Sequence, residues 1–175
     1  FAVYASFYLR MDGFMPSPDE RANLVFAQGY LETGSLQVLR PVTDERALAR
    51  SVNIVNGYDV PGFFLGLVLL LAMAGRLVGP ELMVFVPAAL AASAPLALYI
   101  LLRRVFPEYV ARISSLWLFI FPTWLYYSSR ALLPNAAMIA AYLAGAALLL
   151  VAHERQAVGA KAVAMCAAMA GGVLL

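Results

Sequence analysis

Charge is the scarcest property of this sequence. Of 175 residues, 12 are Lys or Arg and 10 are Asp or Glu, so charged residues make up 13%. An ordinary soluble domain carries about a quarter. The net charge is only +2 and the arginines are scattered. There is no basic stripe, and hence no footprint for nucleic acid. A single cysteine, Cys166, excludes an internal disulfide, and no metal-ligand spacing surrounds it. It reads as a small buried or lipid-facing residue. The one histidine, His153, has no His or Cys neighbour and reads as a solvated loop residue. No Ser-His-Asp arrangement, phosphate-cradling glycine loop or zinc spacing is present. The first apolar stretch lacks a basic leader and a small-residue cleavage site, so it is not a signal peptide.

What is abundant is hydrophobicity, at 63% of residues, with a mean hydropathy of +0.82. A chain of this length cannot hide so much apolar surface in one water-soluble core. The expectation is an all-α, polytopic transmembrane helical bundle in the cell membrane, forming a single membrane domain. Residues 1–11 are too short for a span of about 20 residues and read as the last turns of a first helix. Residues 61–78 form an apolar helix that either crosses or dips. Further transmembrane helices are expected at 82–102, 113–129, 132–152 and 162–175. The 82–102 run is the clearest, with no charge between Glu81 and Arg103; at 1.5 Å per residue it reaches roughly 30 Å, a hydrocarbon core. Gly145 and its small neighbours would let helices approach closely. Phe1 and Leu175 both lie in apolar runs, so the domain is expected to be truncated at both ends.

Arg103, Arg104 and Arg112 flank one short loop, and Arg155 and Lys161 another two spans later. The positive-inside rule makes both cytoplasmic. The turn between Tyr127 and Asn135 and the connection at Gly79-Pro80 then lie outside. The polar stretch 12–59 is outside if 61–78 dips and returns, and cytoplasmic if it crosses. Gly62, Gly66 and Gly75 interrupt that segment, as in some re-entrant helices.

Within the polar stretch, Ser17-Pro18-Asp19-Glu20 reads as an N-cap, a proline at the first helical position and two acids behind it. The helix runs to Thr33 and stops at Gly34. Thr43-Asp44-Glu45 starts a second helix to about Ser51. The expectation is a large first extracytoplasmic loop with two amphipathic helices on the membrane surface.

Asp19 and Glu20 have two readings. Acids at a helix N-terminus complement its dipole; a carboxylate held there also serves as a general base or a metal ligand. Asn23 falls one turn after Asp19 on the same face. Asp59 is either an interfacial loop acid or a third carboxylate at the same site. Arg130 and Asn135 flank Pro134 at the start of a helix. They suit an interface anchor, or an anion site built from a guanidinium and helix N–H groups. Trp124, Tyr126 and Tyr127 read as an aromatic interface belt.

Four stretches in this order resemble the N-terminal part of GT-C glycosyltransferases, including the protein O-mannosyltransferase-like family and the aminoarabinose transferases acting on lipid A. They are residues 16–34 with the Asp19-Glu20 pair; 59–63, from Asp59 through Pro61 into an apolar segment; 101–106 with Arg103-Arg104; and 127–136 with Arg130, Pro134 and Asn135. The resemblance covers nearly the whole chain and rests on order and spacing. It implies an integral-membrane glycosyltransferase taking a sugar from a polyprenyl-phosphate donor. The acceptor would be a protein, glycan or lipid at the extracytoplasmic face. It places 61–78 with the first outer loop. By position, Asp19 would be the catalytic carboxylate and Glu20 its support. Asp59 would bind metal or carrier, and Arg130 and Asn135 the carrier phosphate. Relatives often carry an acid at the place of Asn135; a neutral amide is a poorer metal ligand, which leaves a divalent cation open. Two other classes remain: a polytopic transporter or flippase, and a non-catalytic GT-C-like membrane subunit. The clear spans hold no ionisable residue in their interiors, whereas transporters place such groups near the midplane.

Overall fold

A computed structural model of the chain describes residues 1–10, 17–39, 51–62, 65–129 and 132–154, with single positions 159, 161, 163 and 165. It is mostly helical. In order come α1 (Ala2–Arg10), α2 (Pro18–Thr33), β1 (Val38–Leu39), β2 (Val52–Val55), β3 (Tyr58–Pro61) and α3 (Leu65–Val78). A 3-10 turn (Met83–Phe85) follows, then α4 (Val86–Leu102), α5 (Glu108–Ile120), α6 (Pro122–Ser129) and α7 (Pro134–Glu154).

The caps of α2 work through local geometry. Ser17 is extended, and its Oγ accepts a hydrogen bond from the Asp19 N–H at 3.3 Å. Gly34 closes the helix at φ 71°, donating its N–H to the Tyr30 carbonyl at 2.9 Å. That backbone conformation costs an L-residue about 1–2 kcal/mol. Gly34→Ala is therefore expected to lower stability by about that amount in detergent unfolding. An unchanged midpoint would mean that the left-handed residue does not hold this helix end.

The sheet was not expected. Its order is β1-β3-β2, antiparallel throughout, with Val38 opposite Asp59 and Ile54 opposite Asp59 on the other side. Asn56 and Gly57, both at positive φ, make the two-residue turn between β2 and β3. Such turns match the right-handed twist of strands and favour Asn-Gly. The second expected surface helix lies outside the described residues, except for Ser51, which sits in the turn that opens β2.

The buried residues form two apolar clusters. One joins Ala22, Phe26 and Ala27 of α2 to Leu67, Val68 and Leu71 of α3, and continues to Met83, Val84, Leu132 and Ala137. The other joins Tyr4, Ala88, Ala91, Ala94, Trp124, Ala136 and Ala140. In the second, α4 and α7 face each other through alanines, whose small size lets backbones approach closely. Gly145 is buried further along α7. Trp124 is 5% exposed and belongs to this core, not to an aromatic belt, while Tyr126 is exposed.

Two expected helices come out differently. Helix α3 begins at Leu65, because Pro61 ends a strand. It packs on α2 and the 3-10 turn rather than along α4 or α7. Its 14 residues span about 21 Å. The expected helix 113–129 is two helices broken at Phe121, which is extended at ψ 126°. Pro122 forces this, since the residue before a proline avoids helical geometry. Among the described residues two helices are long and apolar enough to cross a membrane, Met83–Leu102 and Pro134–Glu154. Of residues 162–175, only positions 163 and 165 are described.

Candidate functional site

The site is built where the first core meets the end of the α4–α7 pair. Asp19 stands at the second position of α2, half-buried. Its Oδ1 accepts a hydrogen bond from Ser51 Oγ, 32 residues away in sequence. The Ser51 carbonyl in turn accepts the Gly62 N–H at 2.8 Å. A Cβ on residue 62 would lie 3.1 Å from the Ser51 carbonyl carbon and oxygen, so any larger residue would have to push the Ser51 backbone away by a few tenths of an ångström.

Glu20 is 3% exposed and Asn23 4%. Successive helical residues point about 100° apart. Asp19 therefore turns to the Ser51 loop while Glu20 turns inward, and the two do not present a carboxylate pair to one point. Asn23, one turn after Asp19, meets a different partner: its Nδ2 donates to the Leu132 carbonyl at 2.8 Å, a contact between residues 109 positions apart. That bond fixes α2 against the turn that precedes α7.

Asp59 is 4% exposed and lies in β3, not in a loop. Residues directly opposite in a sheet share a face, so Asp59 lies on the side of Val38 and, two positions along β2 from Ile54, of Val52. Both valines pack on the first core, so this acid faces inward. It stands two residues from Pro61, roughly 7 Å along the strand from the end that holds Ser51. Asn135 lies in the first turn of α7, three residues after Leu132, and is exposed. Arg130 lies outside the described residues.

The structure thus brings Asp19, Asn23, Ser51 and the start of α7 to one end of the molecule. Glu20 and Asp59 lie inside the same unit, facing its core. Among the described residues no three His, Cys, Asp or Glu side chains gather to hold a metal ion. With Asp19 turned to Ser51, Glu20 turned inward and Asn135 neutral, these residues do not form a divalent-cation cage, and no chemical step here uses one.

The opposite end of the α4–α7 pair carries Arg103, Arg104 and Arg112 with two acidic partners. Arg104 bridges Glu154 at 2.7 Å, and Arg112 bridges Glu108 at 2.5 Å. The Arg112 hydrogen bond, and then its charge, hold the Glu108 carboxyl below the usual carboxylate range. Helix α7 has 21 residues and so separates the two ends by about 30 Å.

Sequence reasoning missed Ser51, Gly62 and the strands. The Asn56-Gly57 dipeptide between alternating runs was the available signal for the hairpin. Ser51 carried no local signal, because its partner is brought to it only by the fold. No family model, curated protein or solved structure matches the chain.

Proposed function

We propose that this chain is part of a polytopic membrane glycosyltransferase of GT-C type, using a polyprenyl-phosphate-linked sugar at the extracytoplasmic face. The observation that carries the reading is the Asn23–Leu132 hydrogen bond, which joins the acid-bearing helix α2 to the turn before α7. The resemblance puts both segments on one side of the membrane, and neither segment's composition demands that they meet. Three further features support it. Helix α3 is too short for a 30 Å core and packs on α2, as a dipping part of the first outer loop would. The basic residues lie at the far end of the α4–α7 pair, where the positive-inside rule puts the cytoplasm. Each long apolar helix keeps large apolar side chains exposed, Leu96 on α4 and Ile139, Tyr142 and Leu148 on α7, as lipid contact would favour.

In the proposed reaction the free oxygen of the Asp19 carboxylate takes the proton from an acceptor hydroxyl. The acceptor oxygen bonds to the anomeric carbon of the sugar. The bond from that carbon to the carrier phosphate oxygen breaks, and the phosphate leaves with the electron pair. The growing negative charge on the phosphate needs stabilisation in a water-poor site. Asn135, and Arg130 beyond the described residues, are the proposed source.

Location is tested first. Asn23 is buried, so the labelling position is the exposed Gln28 on α2. With Cys166→Ser removing the native thiol, Gln28→Cys is expected to react with a membrane-impermeant maleimide added to intact cells. Reaction only after permeabilisation would put α2 in the cytoplasm and dismantle the site. Activity is tested by transfer of label from radiolabelled mannosyl-phosphoryl-polyprenol, and from donors carrying other sugars, by membranes containing the complete protein. No label transfer from any donor would sink the enzyme reading.

A further inference from the structure

The geometry points to Ser51 as the residue that positions the Asp19 carboxylate for proton transfer, an assignment that rests on the function proposed above. A carboxylate at the second position of a helix has two rotatable bonds and no intrinsic reason to aim one oxygen at a substrate. The Ser51 hydroxyl supplies that reason. It donates to Oδ1 and leaves Oδ2 to meet an acceptor hydroxyl. Among the described residues no other side chain is hydrogen-bonded to this carboxylate.

Ser51 is itself held in place. Its carbonyl accepts the Gly62 N–H at 2.8 Å, and its neighbour Val52 pairs with Pro61 at the open end of the hairpin. Any Cβ at residue 62 would press on the Ser51 backbone at 3.1 Å. The hairpin therefore acts as a bracket. Its Asn56-Gly57 tip sets the register, the register sets where Ser51 stands, and Ser51 sets the orientation of Asp19. Ser51 is only half-buried, so its hydroxyl contributes little to packing. A side chain with one bond, made to a proposed base, is suited to orientation. Misplacing a reacting group by about 1 Å can cost roughly 100-fold in rate.

The test uses the complete protein in membranes, with radiolabelled mannosyl-phosphoryl-polyprenol as donor and the membrane's own acceptors. Ser51→Ala is expected to lower kcat about 10- to 100-fold while leaving the donor KM within about threefold and the thermal midpoint unchanged. Ser51→Thr, which keeps the hydroxyl, is expected to restore most of the rate. Wild-type kcat in Ser51→Ala, with Asp19→Asn inactive, would overturn the positioning role and leave the catalytic reading standing. Equal losses in Ser51→Ala and Ser51→Thr would also overturn it, as would a raised KM at unchanged kcat. Wild-type transfer by Asp19→Asn would instead remove the underlying reading.

Discussion

Asp19→Asn is expected to abolish sugar transfer while leaving the protein folded and inserted. The substitution is nearly isosteric. The amide oxygen still accepts the Ser51 hydrogen bond, and the backbone N–H still reaches Ser17. What disappears is the ability to take a proton, because an amide is not a base. General-base catalysis contributes about 10²- to 10⁴-fold, so transfer should drop by that factor in the complete protein. Expression, membrane fraction and thermal midpoint should match the wild type. If the variant transfers sugar at the normal rate, Asp19 is only a helix-capping acid and the site lies elsewhere. If it fails to insert, the loss of activity says nothing of chemistry, and Ser17→Ala, which weakens the same helix end without touching the carboxylate, provides the control.

The second large effect belongs to Asn23. Its amide N–H donates to the Leu132 carbonyl with both residues almost fully buried. Asn23→Ala leaves that carbonyl unpaired in a low-dielectric interior, a loss of about 1–3 kcal/mol. Asn23→Asp preserves size and removes the donor, so two acceptors face each other. It should be at least as destabilising as the alanine variant. Both are expected to lower transfer as well as the unfolding midpoint, because α2 is no longer fixed to the start of α7. A wild-type midpoint in Asn23→Asp would show that the contact contributes nothing. A lowered midpoint with undiminished transfer would separate the contact from the site.

Where sequence and structure agree, the causes are local. The Ser17 cap, the acids behind Pro18 and the Gly34 stop all act within one helical turn of themselves, and α2 has the bounds they imply. The apolar run before Arg103 is long enough to declare itself at any register. The disagreements have non-local or finely local causes. Residues 113–129 carry no charge and are apolar on both sides of Phe121, so hydropathy runs straight across it, whereas the steric demand of Pro122 does not. The strand that holds Asp59 is stabilised by two partner strands, β1 and β2, and hydrophobic content alone does not reveal such pairing. Asp59 therefore read as an interfacial loop acid or a third site carboxylate, and neither reading anticipated its place on the inward face of a sheet. In the candidate site, Asp19 was legible because its helix was. Its partner was not, since a serine 32 residues away looks like any other serine. Asn23 was placed on the face of Asp19, but nothing in the sequence said that its amide would reach Leu132.

The Asn23–Leu132 contact also sets a schedule. A ribosome extending the chain at about 5–20 residues per second needs roughly 5–20 s to travel the 109 positions between the two residues. During that interval α2 and α3 are complete, but Leu132 and Ala137, which close their shared core, have not yet been made. The nascent helix pair must wait with one side open, and the polar amide of Asn23 has only water or a transient partner. That open side closes only with the emergence of α7, which brings Leu132 and Ala137 to the helix pair.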